Sequence, residues 1–135
     1  MYKRQEVEQK ENLEIVQYSV NIHGQNLRII FLYRSNKYSI STFKQNLQKL
    51  VQNNEQERNL VIIGDMNEEN TVIPDNRFSQ LIDGPTTSGI KGKTIDHAYA
   101  RIADFNVSGH VLYKCFVNSY HHPICVNLKP KSHGE

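Results

Sequence analysis

The chain has 135 residues, of which 38% are hydrophobic and 22% charged, and its formal net charge is +2. That length suits one domain with a single hydrophobic core, and no apolar run is long enough to cross a bilayer as a helix. A net charge this small does not identify a nucleic-acid binder, although local patches outweigh the total. The two cysteines, Cys115 and Cys125, are not spaced as a metal pair. So few cysteines suit a reduced intracellular compartment, the nucleus included, better than a disulfide scaffold. The residues from Met1 to Glu6 are followed by more polar sequence, which is not the pattern of a signal peptide.

Residues 1–12 carry only Met1, Tyr2 and Val7 as apolar side chains and read as a polar leader, frayed or briefly helical. At Leu13 the pattern changes. Val16, Tyr18, Val20 and Ile22 alternate with polar residues, which predicts a strand with one covered face. His23-Gly24-Gln25-Asn26 predicts a hairpin loop, with His23 an ordinary turn residue. Leu27–Tyr33 is apolar at every position but Arg28 and predicts a strand deep in a sheet. Ser39 or Ser41 can cap a following helix that buries Phe43, Leu47, Leu50 and Val51.

Leu60–Ile63 is short, apolar and rich in β-branching, the pattern of a strand covered on both faces. Strand, helix and strand make one crossover, so this strand should lie parallel to Leu27–Tyr33, with Tyr33 beside Asp65. Gly64 follows, and then Asp65-Met66-Asn67. In an extended chain Asp65 and Asn67 point one way and Met66 points into the core. A carboxylate and an amide then stand at the carboxyl end of a central strand, where open α/β sheets bind ligands. The alternative is a plain polar strand exit.

Asp75–Ile82 predicts a short helix packing Phe78, Leu81 and Ile82, and Gly84–Lys93 predicts a loop. Thr94–Ala100 predicts a strand with Asp96 inside it, and Phe105–Lys114 another, broken at Ser108-Gly109. Asn118–Pro123 leads into a last strand, Ile124–Leu128, and residues 129–135 form a polar tail.

Three polar islands therefore alternate with apolar strands: Gly64-Asp65-Met66-Asn67, Ile95-Asp96-His97 and Ser119-Tyr120-His121-His122-Pro123-Ile124. With Tyr33 ahead of them, their order resembles the endonuclease/exonuclease/phosphatase family over roughly residues 13–128. Pro85-Thr86-Thr87 and the run ending His121-His122-Pro123-Ile124 are similar to the mobile-element, retrotransposon-type endonucleases within it. The resemblance implies an α/β (α+β) fold, a two-sheet β-sandwich flanked by helices. It implies hydrolysis of phosphodiesters, with magnesium or manganese as cofactor and DNA as partner. Phosphoinositide or other small-molecule phosphatases belong to the same family and give an alternative substrate class.

By this resemblance Asp65 orients or deprotonates the attacking water, and Asn67 holds that water or a phosphate oxygen. His121 donates to the phosphate, oriented and kept protonated by Asp96, and Tyr33 donates its hydroxyl. A carboxylate behind an imidazole fixes its tautomer and favours its charged form, so the roles are chemically coherent. Lys91 and Lys93 are candidates for backbone phosphates, against the reading of a solvated loop. Tyr33 as a strand-end aromatic is the corresponding bland reading. His97 and His122 fall outside the motif pattern and are read as non-catalytic.

The sequence departs from the family pattern in two places. Tyr120 stands where the family carries an Asp that serves its metal site, and a neutral phenol is no substitute for a carboxylate on magnesium. The family's early Asn and its metal-binding Glu find no counterpart either. Glu6, Glu8 and Glu11 lie in the polar leader, and Glu14 opens the first strand rather than following one. The expectation is a domain lacking its N-terminal half. Its hydrolytic activity should be weak or lost, and an apolar surface on the Leu13–Ile22 side should invite self-association. A catalytically inactive remnant that binds nucleic acid or protein is the competing reading.

Overall fold

The computed structural model describes residues 3–89, 91–113 and 120–131, so Cys115, Lys114, Asn118 and Ser119 lie outside the described residues. Six strands form the main sheet. In chain order they are β1 (Lys3–Lys10), β2 (Leu13–Ile22), β3 (Gln25–Arg34), β4 (Asn59–Asp65), β5 (Ser79–Gln80) and β6 (Asp96–Ile102). Their order across the sheet is β1-β2-β3-β4-β6-β5. A second sheet pairs β7 (Phe105–Val111) with β8 (Ile124–Pro130), and one helix, α1 (Ile40–Asn53), links β3 to β4.

β2 and β3 pair antiparallel from Leu13↔Arg34 to Ile22↔Gln25, which leaves His23-Gly24 as a two-residue turn. Both residues have positive φ, 51° and 82°, as a hairpin turn matched to strand twist requires. Asn21 Oδ1 steadies the turn by accepting from the Gly24 N–H at 3.0 Å. β3 and β4 run parallel, with Tyr33 opposite Asp65 as expected. Ser39 caps α1, its hydroxyl accepting from the Thr42 N–H at 3.4 Å, and Phe43, Leu47, Leu50 and Val51 are the buried helical positions. They pack on Ile30, Leu32, Leu60 and Ile62, the side chains on one face of β3 and β4.

Lys3–Lys10, expected as a frayed leader or short helix, is instead a full strand paired antiparallel with β2. Its described side chains are exposed on both faces, so no apolar alternation marks it in the sequence. Backbone pairing holds it, together with polar contacts: Glu6 to the Arg28 guanidinium at 3.0 Å, and the Gln9 amide to Glu14 at 3.2 Å. Its charged side chains suit a sheet edge, where they discourage pairing with other chains.

The helix expected over Asp75–Ile82 is also replaced. The Asp75 carboxylate accepts from the Arg77 N–H at 3.0 Å, closing a turn. The chain then extends through β5, and the Leu81 N–H donates to the Ala98 carbonyl at 2.8 Å. Phe78 packs on the helix side of the sheet and Leu81 on the opposite side, so their helical spacing arises from an extended segment.

β7 runs unbroken through Ser108-Gly109, and β8 continues past Leu128 into the residues expected as a tail. Gly109 permits close packing there, because a Cβ at that position would stand 2.8 Å from the Leu81 Cβ. The second sheet covers Leu27, Val61 and Ala100 through Phe105, Val107 and Leu128. The molecule is thus layered as helix, six-stranded sheet and two-stranded sheet. The edge of β2 is covered by β1, so the apolar surface expected on that side is found on the sheet face. There Val7 is 63% exposed and Phe31 44%, with Tyr18 edge-on to Phe31 at 5.7 Å.

Candidate active site

The site forms where β3, β4 and β6 meet. Tyr33 pairs with Asp65, and Asp65 pairs with Asp96. Side chains of paired residues share a sheet face, so all three sit on the side that faces away from α1. Met66 points back into the core and is 0% exposed. Gly64 is required by contact: a Cβ there would lie 1.8 Å from the Leu32 carbonyl oxygen, a backbone atom that cannot move aside.

The strand ends at Asp65, and the chain does not stay extended to Asn67. Asn67 has φ 49°, a left-handed conformation that turns the chain. Its backbone N–H donates to Asp65 Oδ1 at 3.1 Å, and its side-chain amide donates to the Arg34 carbonyl at 2.6 Å. Asn67 therefore serves the carboxylate through its backbone.

His121 arrives from a distant loop and completes the cluster. Its Nδ1 donates to Asp96 Oδ2 at 2.8 Å, and its Nε2 faces Asp65 Oδ2 at 3.6 Å. Threonines in the Gly84–Thr94 loop hold it in place. Thr87 forms a β-bridge with His121, and the Thr86 carbonyl accepts from the His122 N–H at 2.7 Å. The buried Thr86 hydroxyl accepts from the backbone N–H groups of Ile95 and Asp96 at 3.0 and 3.1 Å. The two adjacent threonines thus fix both members of the Asp96–His121 pair.

Burial pushes the Asp65 carboxyl above its usual range, and the neighbouring Asp96 charge adds to the effect. The Asn67 N–H, His121 and Arg34 oppose it. A carboxyl held in this way accepts a proton more readily than an ordinary aspartate. Tyr33 is 44% exposed at the rim, and Lys91 and Lys93 extend into solvent from their loop. Only the backbone of Lys93 is engaged by the threonines, its N–H donating to Thr87 Oγ1 at 2.7 Å. Tyr120 is 59% exposed and stands edge-on to His121 at 5.5 Å. His122 contacts the Tyr113 ring, and His97 is fully buried with its Nε2 2.6 Å from the Glu68 carbonyl.

Asp65, Asp96 and His121 offer donor atoms within 4.8 Å of one another, the one such group among the described residues. Their chemistry does not fit a self-sufficient magnesium centre. Asp96 and His121 satisfy each other, Asp65 Oδ1 is taken by the Asn67 N–H, and Tyr120 adds no anionic oxygen. Magnesium demands oxygen ligands in near-octahedral array, which these three side chains do not supply by themselves.

For two residues central to this geometry the sequence does not reveal how they act. Arg34 reads as a solvated strand end, yet it is buried beneath the Asp65–Asn67 turn. Thr86 reads as a loop residue, and only the fold shows its hydroxyl beneath Asp96.

No protein-family model matches the sequence, and no curated protein matches it. Solved structures do. A humanized D. rerio TDP2 shares 12% identity at a TM-score of 0.66, covering 91% of this chain and 65% of that one. A second D. rerio TDP2 structure, complexed with single strand DNA product, shares 12% identity at 0.64, covering 94% and 67%. The endonuclease domain of TRAS1, a telomere-specific non-LTR retrotransposon, shares 14% identity at 0.65, covering 93% and 68%. The Bacteroides thetaiotaomicron mannosyl-6-phosphatase Bt3783 shares 16% identity at 0.59, covering 86% and 56%. The chain thus spans between about half and two thirds of the length of the structures it matches. In its strand order, its layers and its likeness to these structures, this chain has the fold of the endonuclease/exonuclease/phosphatase family.

Proposed function

We propose that this chain carries the water-activating and phosphate-binding side of a phosphodiester-hydrolysing centre acting on DNA. The observation that carries the reading is the Asp96–His121–Asp65 alignment, 2.8 and 3.6 Å long, at the carboxyl end of β4. Asp96 holds the imidazole by its Nδ1, with Nε2 on the side of Asp65. The 3.6 Å separation is longer than a hydrogen bond and places the imidazole and the carboxylate side by side. Asp65 takes a proton from the attacking water, and His121 donates from Nε2 to a phosphate oxygen. Asn67 holds Asp65 through its backbone N–H. Tyr33 donates its hydroxyl at the rim, and Lys91 and Lys93 meet the flanking phosphates.

Similarity to the TRAS1 endonuclease domain, and to TDP2 holding a single strand DNA product, supports DNA as the substrate. A cleft of about 690 Å³ between α1 and residues 72–77, and one of about 360 Å³ beside Tyr99, are both lined by residues outside the cluster. Likeness to a mannosyl-6-phosphatase keeps small phosphomonoesters as the second substrate class. Magnesium or manganese is the cofactor we propose. The described residues do not complete a site for it, so the isolated chain should be a weak enzyme. The non-catalytic, nucleic-acid-binding reading draws on the same observation and on Tyr120.

The test is nicking of supercoiled DNA with magnesium or manganese. Slow nicking that is lost in Asp65→Ala is the expected result. Nicking that persists unchanged in Asp65→Ala would overturn the assignment of the base. DNA binding without any nicking would favour the non-catalytic reading.

A further inference from the structure

Arg34 ends β3 with its side chain on the helix side of the sheet, directly behind the Asp65–Asn67 turn, and is 4% exposed. Its guanidinium makes no ion pair with any described carboxylate. Its donors go to four backbone carbonyls: Nε to Met66 at 2.7 Å, Nη2 to Asn67 at 2.7 Å, and Nη1 to Tyr38 at 2.5 Å and Ser35 at 3.3 Å. The Phe43 ring of α1 covers it at 5.7 Å. A buried cation with no carboxylate in direct contact is costly, and carbonyl dipoles only partly offset that cost.

The contact is reciprocal. Arg34 binds the carbonyl of Asn67, and the Asn67 side chain binds the carbonyl of Arg34 at 2.6 Å. Between these two bonds Asn67 is held at φ 49°, a conformation uncommon for residues other than glycine. The carbonyl that accepts from Arg34 Nε and the N–H that donates to Asp65 Oδ1 belong to the same Met66–Asn67 peptide group. We infer that Arg34 is a positioning residue: it clamps the carbonyls of Met66 and Asn67, which holds Asn67 left-handed and fixes the Met66–Asn67 peptide with its N–H toward Asp65. The inference concerns the same site and rests on reading Asp65 as its base. The clamp itself can be measured without any activity.

The experiment compares the isotope-labelled native chain with Arg34→Met and Arg34→Lys by NMR. Two signals report the clamp, the strong intraresidue amide-to-Hα contact of a left-handed Asn67 and the slow solvent exchange of its N–H. Arg34→Met should lose both, while Arg34→Lys, which keeps a cationic donor, should retain part of each. A space-filling role would instead lower thermal stability in Arg34→Met and leave both Asn67 signals intact, which would overturn the inference. If neither variant folds, the native protein still decides. The Arg34 Nε–H should exchange far more slowly than that of Arg58, whose side chain is 70% exposed. Equal exchange at the two arginines would contradict the clamp.

Discussion

Asp65 illustrates the tension between site and fold at the level of one side chain. Burial and the Asp96 charge raise its pKa in the folded chain, so the folded state binds this proton more tightly than the unfolded state does. The charged form of Asp65 therefore destabilises the fold at neutral pH, and that penalty vanishes as pH falls below the ordinary carboxylate range of about 3.9. Asparagine at this position keeps an oxygen for the Asn67 N–H and removes the charge. Asp65→Asn should melt higher than the native chain at neutral pH, with the difference shrinking as the solution is acidified. Thermal melts across that range provide the check, and a lower melting temperature for Asp65→Asn at neutral pH would contradict the assignment. Arg34 shows the reverse lesson about reading a sequence. A charged residue at a strand end carries the same signal whether it is solvated or buried, and only the tertiary placement of Met66 and Asn67 tells which.

Elements were legible in proportion to how one-sided their burial is. α1 buries a single stripe, and β4 is flanked by a turn and apolar on both faces, so both stand out from periodicity alone. β1 is exposed on both faces and has no periodicity to detect. Phe78, Leu81 and Ile82 mimic a helix because an extended segment sends them to opposite sides of the sheet. The order of Tyr33, Asp65, Asp96 and His121 and the Pro85-Thr86-Thr87 run were legible through family resemblance, whereas the contacts by which Thr86 and Thr87 assemble Asp96 and His121 were not. Element packing also makes Gly64 intolerant of change, because β3 and β4 approach so closely there that an added methyl would overlap the Leu32 carbonyl. Gly64→Ala should cost at least about 3 kcal/mol, the upper end of ordinary overpacking, as read by chemical denaturation. A cost under about 1 kcal/mol, typical of a tolerated substitution, would mean that the strands separate freely.

On the scale of the whole molecule, the two-stranded sheet covers only part of the large one. Val7, Phe31 and Tyr33 remain exposed on the uncovered face beside the site. Apolar surface of this kind favours association. The chain should show concentration-dependent self-association by sedimentation, weakened in Phe31→Ser. A monomer at every concentration would contradict this. The same molecule-wide view frames the proposed chemistry, since β4, β6 and a loop held by Thr86 and Thr87 each deliver one member of the Asp65–Asp96–His121 cluster.

The central claim is that Asp96 and His121 act as one unit beside Asp65, and a double-mutant cycle on metal-dependent DNA nicking tests it most directly. Asp96→Ala and His121→Ala should each reduce the nicking rate about 10²-fold or more, the range for a positioned general acid. The double variant should be no slower than the worse single variant, as expected of residues acting together. Losses that multiply in the double variant, or a rate unchanged by either substitution, would contradict the account.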